Sequence, residues 1–384
     1  MADGSMLAEA KADSAAQAGR FGEAAKHLEQ AIAADPGSSA IWSKLSAMRR
    51  ASGDLQGSLA AIDRALALKP LDFSFLLVRA MLVERTDPVG AGEAFAAAIA
   101  QLPAEEQVPK PMAAAVAHAR TRAAEHAADS ETRMAAALPD GLGDEERRRL
   151  SRFISNSSRR TRSFHQEPTH FHFPNLAERE FHAVERFAGF RQLAALTPVI
   201  RAEFDALLKA EAGGMVPYIQ YPDRIPLRQW QELNHNRSWS AFHLLQNGRL
   251  IERHARHCPR TMAAIAQLDQ PHVGGASPNL MFSLLAPHTR IPPHHGVANT
   301  RLVAHLPLIV PPECGFRCGA STVNWEVGTP FVFDDTIEHE AWNDSEELRV
   351  VMIFDLWAPD ISIAEREAIS RIIPASGVTA IDGL

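Results

Sequence analysis

The segment NLMFSLLAPHTRIPPHHGVANTRLVAHLPLIV, residues 279–310, decides the fold. Two runs rich in Leu, Val, Phe and Ile, read as strands over 279–286 and 300–310, flank the cluster Pro292-Pro293-His294-His295-Gly296. Outward from there the same texture continues. From about residue 213, short apolar runs are separated by Pro, Gly and Asn clusters, which predicts further strands near 215–221, 239–246, 330–334 and 348–357. Many short strands without intervening helices predict a sandwich or jelly roll. A helix over 361–373 closes the chain and is expected to cover one face.

The chemistry-bearing residues gather on this framework. After that cluster come Arg301 and His305 on the next strand, then Phe333-Asp334-Asp335-Thr336-Ile337-Glu338-His339. Non-haem iron(II) sites draw histidines from separate strands into one mouth, and His294 and His339 are the candidate pair. Arg349 lies inside the apolar strand Leu348–Trp357, where a guanidinium is costly unless it meets a partner. Its planar fork suits a carboxylate held end-on. Strand alternation puts Arg349, Val351 and Ile353 on one face, beside the metal. A zinc or manganese barrel without redox work would give that arginine no purpose. Asp334 and Asp335 are read as hydrogen-bond acceptors in the turn ahead of His339 rather than as ligands. The His170-x-His172 pair, read on a strand, and His254 and His257 are assigned no role.

Several of these motifs occur together in one known family. Ser283, His294-x-Gly296, Asn299-x-Arg301-Leu302, His305-Leu306, Trp325-Glu326-x-Gly328, Phe333-Asp334-Asp335, His339-Glu340-x-Trp342 and Arg349 together resemble the aspartyl/asparaginyl β-hydroxylases. The resemblance implies a double-stranded β-helix (cupin-like jelly roll) oxygenase domain over roughly 165–360, binding Fe(2+) through His294 and His339 and using 2-oxoglutarate and O2. It further implies that Ser283 and Arg349 bind one end of 2-oxoglutarate and that Arg301 and His305 hold the other. Trp239 would lie near the pocket. Gly296 stands where most oxygenases of the wider superfamily carry Asp or Glu. The family shares that absence, so a water is expected at the vacant coordination position. His295, next to the first ligand, departs from the family pattern.

The first 120 residues are built differently. They are alanine-rich and repeat: Gly19 and Gly53, Ala31 and Ala65, and Pro36 and Pro70 are each 34 apart, and a third copy reaches Ala98 and Pro103 at a spacing of 33. Trp42, Leu45, Ile62, Ala65 and Pro70 make this stretch similar to tetratricopeptide repeats. Ser58 and Arg49 depart from that pattern. Such repeats stack into a concave groove that receives a peptide or protein; propping up the catalytic domain is the plainer alternative. Breaks at Pro103–Pro111 and Pro139–Asp144 enclose an alanine-rich helix, followed by a basic run from Arg147 to Arg162 read as a solvated face. The expected organisation is helical repeats over 1–120, a helical linker and leading part of the catalytic region over 121–205, and the oxygenase domain over 206–384.

Composition limits the remaining options. With 384 residues, 46% of them hydrophobic, and a net charge of -7, the chain reads as an ordinary two-domain globular protein without an affinity for nucleic acid. No apolar run is long enough to span a membrane and the first residues do not form a secretion signal, so no membrane association and a cytoplasmic location are expected. Three cysteines, Cys258, Cys314 and Cys318, make no disulfide framework; Cys314 and Cys318 could meet across a turn, but reduced thiols are expected. The expected activity is hydroxylation of an unactivated C–H bond, first of all the β-carbon of Asp or Asn in a polypeptide delivered by the repeats. A small molecule, free amino acid or lipid acyl chain is the second candidate substrate, and an inactive scaffold the third reading.

Overall fold

The computed structural model describes residues 2–104, 108–222 and 226–378. It divides into two compact units, one ending at Thr161 and one starting at Arg162.

The first unit is all helix: α1 (Ala2–Gln17), α2 (Phe21–Ala34), α3 (Ser39–Ala51), α4 (Leu55–Leu68), α5 (Phe73–Thr86), α6 (Ala91–Ile99), α7 (Ala113–Ala136) and α8 (Asp144–Ser157). The first six make the three expected hairpins. Gly19 and Gly53, the repeat markers, sit just past α1 and α3 with φ of +74° and +90°. They take the left-handed position that ends a helix and turns the chain back. Asp54 and Ser38 cap the helices that follow through the amides of Gly57 and Ile41. Ala24, Ala31, Ala61 and Ala65 are buried, and their small side chains let paired helices approach closely.

Both departures from the repeat pattern have structural reasons. Ser58 is fully buried and donates to the Ser46 carbonyl at 2.8 Å, with the Ser46 hydroxyl 2.9 Å away. Arg49 donates to the Gly57 carbonyl and pairs with Glu29 at 2.8 Å. Ser58→Ala is expected to lower the unfolding free energy by about 1 kcal/mol, read from urea denaturation. An unchanged midpoint would show that the buried pair contributes nothing.

The second unit contains β1 (Phe181–His182), α9 (Phe190–Ala195), α10 (Thr197–Ala210), β2 (Val216–Pro217), β3 (Trp239–Gln246), β4 (Arg249–Leu250), α11 (Glu252–Ala255) and α12 (Pro259–Ile265). There follow β5 (Leu280–Leu285), β6 (Thr289–His294), β7 (Arg301–Ile309), β8 (Cys314–Cys318), β9 (Ser321–Val323), β10 (Phe331–Phe333), β11 (His339–Asn343), β12 (Arg349–Trp357) and α13 (Ile363–Ala375). The larger sheet runs β1-β10-β7-β12-β5-β3-β2, with β4 on β3, and the smaller runs β6-β11-β8-β9. Every strand pair is antiparallel. One apolar core lies between the sheets, around Ile291, Val303, Phe316, Phe333 and Val351. The other lies on the far face of the larger sheet, where α9, α10, α12 and α13 cover Phe282, Leu306 and Met352.

The structure corrects several readings. β6, which includes Pro292 and Pro293, is a strand the sequence reading left out; an edge strand tolerates prolines because it has an unpaired side. β8, β9 and β11 were not anticipated, since their residues alternate with Arg, Thr and Glu and give no apolar run. His170 and His172 are exposed and lie in no strand, apart from one bridge between Phe171 and Ala298. Cys314 and Cys318 begin and end the single strand β8, so no turn brings them together, and both are free and buried. The division between units falls inside the segment 121–205. Val116 and Ala119 of α7 share a core with Phe95 of α6. No helix among the described residues is long and apolar enough to cross a membrane.

Candidate active site

β6 and β11 lie side by side with His294 and His339 as direct partners across the ladder. Both rings point between the sheets, with centroids 4.0 Å apart. On β11, alternation sends His339, Ala341 and Asn343 inward and leaves Glu340 and Trp342 less buried. His294 Nδ1 lies 2.7 Å from the Pro292 carbonyl and His339 Nδ1 lies 3.1 Å from that of Ile337. A carbonyl only accepts, so both Nδ1 atoms carry the proton and both Nε2 atoms keep a lone pair, the arrangement of a metal-ligating histidine. Burial pushes His294 down to about 4 and His339 well below the usual imidazole range, so both are neutral. Among the described residues no three His, Cys, Asp or Glu side chains converge as a metal site. The pair supplies two nitrogens.

The remaining candidates gather around the pair. A cavity between the sheets is lined by Ser283, His294, Arg301, His305, His339 and Arg349, with Trp239 at its wall. Arg349 is 1% exposed, and its guanidinium lies 4.7 Å over the Trp325 ring. No carboxylate pairs with it among the described residues, and its Nε lacks any partner. Burial lowers its pKa to about 10. The Ser283 hydroxyl accepts from Trp239 Nε1 at 3.1 Å, which leaves its own proton free to donate. His305 Nδ1, Trp325 Nε1 and Asp335 Oδ1 are also buried without partners. Three of these unsatisfied atoms, on Arg349, His305 and Asp335, belong to residues that line the one cavity, the mark of a polar ligand.

Arg301 is engaged differently, held 3.0 Å from Asp335 and 3.5 Å from Asp355. Burial works against its charge, but the two carboxylates keep its pKa above the usual range. Asp334 behaves as expected, its carboxylate accepting from the Thr336 amide and hydroxyl. His295 Nε2 lies 3.7 Å from Glu167. Asn343, fully buried, donates to the carbonyls of Leu285, Ala286 and Glu347, tying the turn ahead of Arg349 to β5. The sequence reading missed Tyr218, stacked on Trp239 at 3.9 Å and 7°. It also missed Trp230, edge-on to His294 at 5.0 Å, and the Asp355 partner of Arg301. As one of only two tyrosines, in a predicted strand, Tyr218 offered a faint signal.

A Cβ at position 296 would run into the Asp335 carboxylate, so the glycine is a packing requirement. Gly296→Asp is therefore expected to destabilise the fold by about 1–3 kcal/mol without tightening iron binding. Thermal melts and iron titration check this. A variant that binds iron more tightly at unchanged stability would overturn it.

Residues 195–359 match the model of the Aspartyl/Asparaginyl beta-hydroxylase family, and residues 15–82 match that of the Tetratricopeptide repeat. The chain is thus similar to both families, each over part of its length. The chain is 34% identical over 143 residues to the aspartyl/asparaginyl beta-hydroxylase of Mus musculus, a match covering 37% of this chain and 19% of that protein. It is 30% identical over 208 residues to the aspartate beta-hydroxylase domain-containing protein 2 of Xenopus tropicalis, covering 53% and 52%. To the ornithine lipid ester-linked acyl 2-hydroxylase of Rhizobium tropici it is 32% identical over 165 residues, covering 42% and 54%. The chain thus spans about half the length of these relatives, or less.

Proposed function

We propose that the second unit is an iron(II)- and 2-oxoglutarate-dependent dioxygenase that hydroxylates an unactivated C–H bond. Similarity to proteins named as hydroxylases supports hydroxylase chemistry at the coarse level. The observation that carries the co-substrate assignment is Arg349, a buried guanidinium without a counter-charge among the described residues. A carboxylate of 2-oxoglutarate supplies that charge, and the Ser283 hydroxyl donates to it.

His294 and His339 would hold iron through Nε2, because each Nδ1 is committed to a backbone carbonyl. Together the metal and co-substrate supply the oxidising power for C–H hydroxylation. The protein's part is positional. His305 offers an unpartnered ring nitrogen to the other end of the co-substrate. The field of Arg301 acts there too, although its ion pairs with Asp335 and Asp355 keep it in place. Trp239 holds Ser283 in position, and the core around Phe316 and Phe333 excludes bulk water.

The curated relatives are named for two kinds of target, aspartyl/asparaginyl residues and an ester-linked acyl group. The tetratricopeptide repeats favour the first, a polypeptide bearing Asp or Asn. The decisive assay is succinate formation by anaerobically purified protein given iron(II), ascorbate, oxygen and 2-oxoglutarate. Slow substrate-free turnover is expected. Absence of both turnover and 2-oxoglutarate binding would bring the scaffold reading forward.

A further inference from the structure

Tryptophan and tyrosine are scarce in this chain, 6 and 2 in 384 residues, yet both tyrosines and two of the tryptophans gather on the His294 side of the site. The Trp230 ring stands edge-on to His294 with centroids 5.0 Å apart, and Trp239 lies 6.1 Å from Trp230. Tyr218 stacks on Trp239 at 3.9 Å and 7°. Tyr221 lines a second cavity, of about 350 Å3, together with Trp230 and His294. The two tryptophans are buried, whereas both tyrosines are half-buried.

Indole and phenol rings are among the side chains most readily oxidised by one electron, and rings in stacked or edge contact pass an electron between their π-systems. The other side of the site is built differently. Against His339 stand Phe316 and Phe333, at 6.0 and 5.2 Å, whose plain benzene rings are far harder to oxidise. Trp325 carries the Arg349 guanidinium on its face at 4.7 Å, a positive charge that opposes loss of an electron. Cys318 is the strand partner of His339, but burial keeps its thiol protonated, and it donates to the Asp334 carbonyl, which cannot keep a proton. Burial also keeps the Tyr218 and Tyr221 phenols protonated, so each electron must leave together with its proton. Tyr218 shares its cavity with Asp335, whose Oδ1 is buried without a partner and can take that proton.

We propose that these rings form an electron path that protects the site when 2-oxoglutarate and dioxygen react with no substrate present, with Tyr218 and Tyr221 as the terminal donors. The inference rests on the dioxygenase reading above. In a productive cycle dioxygen takes two electrons from 2-oxoglutarate and two from the C–H bond of the substrate. Without substrate, one oxygen atom still ends in succinate and the lost carboxyl group leaves as carbon dioxide. The other atom then needs two electrons and two protons to leave as water. Each tyrosine supplies one of each, its O–H bond breaking to give a phenoxyl radical. Electrons from Tyr218 pass through Trp239 and Trp230 towards His294, and those from Tyr221 join at Trp230. A two-electron reductant such as ascorbate returns a hydrogen atom to each phenoxyl and becomes dehydroascorbate. Excluding competing reactions is part of what a protein adds to cofactor chemistry, and this path keeps the oxidation away from the residues that hold the co-substrate.

The test loads the full chain anaerobically with iron(II) and 2-oxoglutarate, mixes it with oxygen in the absence of substrate and ascorbate, and freezes samples at successive times. Electron paramagnetic resonance of wild type should show a phenoxyl signal that grows as succinate forms and vanishes when ascorbate is added. Tyr218→Phe and Tyr221→Phe keep each ring and remove only the hydroxyl group. Each should lower the signal per succinate formed, and the double variant should abolish it. Trp230→Phe leaves both donors in place and interrupts the path, so it should also lose most of the signal per succinate. If Trp230→Phe fails to fold by circular dichroism, the two tyrosine variants decide.

Peptide mass spectrometry gives a second readout. With ascorbate present, wild type should stay unmodified through many substrate-free turnovers, whereas the double variant should gain oxygen on peptides that line the site. Succinate formation without any phenoxyl signal overturns the electron path and leaves the dioxygenase reading standing. A signal that survives in the double variant overturns the assignment to the tyrosines. Oxygen added to Cys318 equally in wild type and double variant, with no phenoxyl signal, overturns the path in favour of thiol oxidation. Absence of succinate from wild type removes the dioxygenase reading and this proposal with it.

Discussion

Arg349→Met is expected to act in two opposite directions, weakening 2-oxoglutarate binding by about 10²-fold or more while raising the melting temperature of the ligand-free protein. The two effects share one cause. Arg349 is 1% exposed and lacks a carboxylate partner among the described residues, with only the Trp325 face offsetting its burial. A buried charge held for an absent partner destabilises the empty fold, and an apolar side chain of similar length removes that cost. In the complex the balance reverses, because deleting one member of a buried, hydrogen-bonded charge pair costs about 3–5 kcal/mol, and each 1.4 kcal/mol is tenfold. Calorimetric titration with 2-oxoglutarate under manganese and nitrogen gives the first number, and thermal melts of ligand-free protein give the second. Unchanged affinity with a lower melting temperature would make Arg349 structural and remove the main support for the co-substrate.

His339→Ala, and separately His294→Ala, should reduce succinate formation to background and weaken iron(II) binding by at least about 10²-fold. A change in groups that merely orient metal ligands already costs about 10–100-fold, and a site offering two protein nitrogens has none in reserve. The fold should survive, because each substitution removes a neutral ring from an otherwise intact ladder. His295→Ala is the matched control. Its ring faces Glu167, so iron content should match wild type. Loss of iron in His295→Ala with retention in His294→Ala would reassign the ligand.

Much of this site was legible because its residues are locally encoded. Each of His294, His305, His339 and Arg349 sits on or at the end of an inward-facing strand position, and alternation alone orders Arg349, Val351 and Ile353 onto one face. The tetratricopeptide hairpins were legible for a similar reason. Gly19 and Gly53 mark turns that need positive φ, and the small residues between them recur at the helix-pair period. Readings failed where the local signal was ambiguous. β6 was left out because Pro292 and Pro293 argue against a strand unless it lies at an edge, which the sequence does not show. β8 and β11 escaped notice because one face of each carries Arg or Glu. Ser58 looked like a defect until Ser46, twelve residues earlier, appeared as its partner.

The sequence by itself determined the chemical inventory: two histidines that can bind a metal, a strand-interior arginine, a serine to accompany it, and a repeat array ahead of them. Those assignments depend on residue type and short-range periodicity, which the chain carries regardless of how distant parts pack. Only the tertiary structure decided that Arg301 is held by Asp335 and Asp355 while Arg349 has no such partner. It alone set His294 opposite His339 across the β6–β11 ladder and opened a second cavity, of mixed polar and apolar lining, beside them. These are contacts between segments tens to more than a hundred residues apart, fixed by strand register and by the close packing of side chains between two sheets.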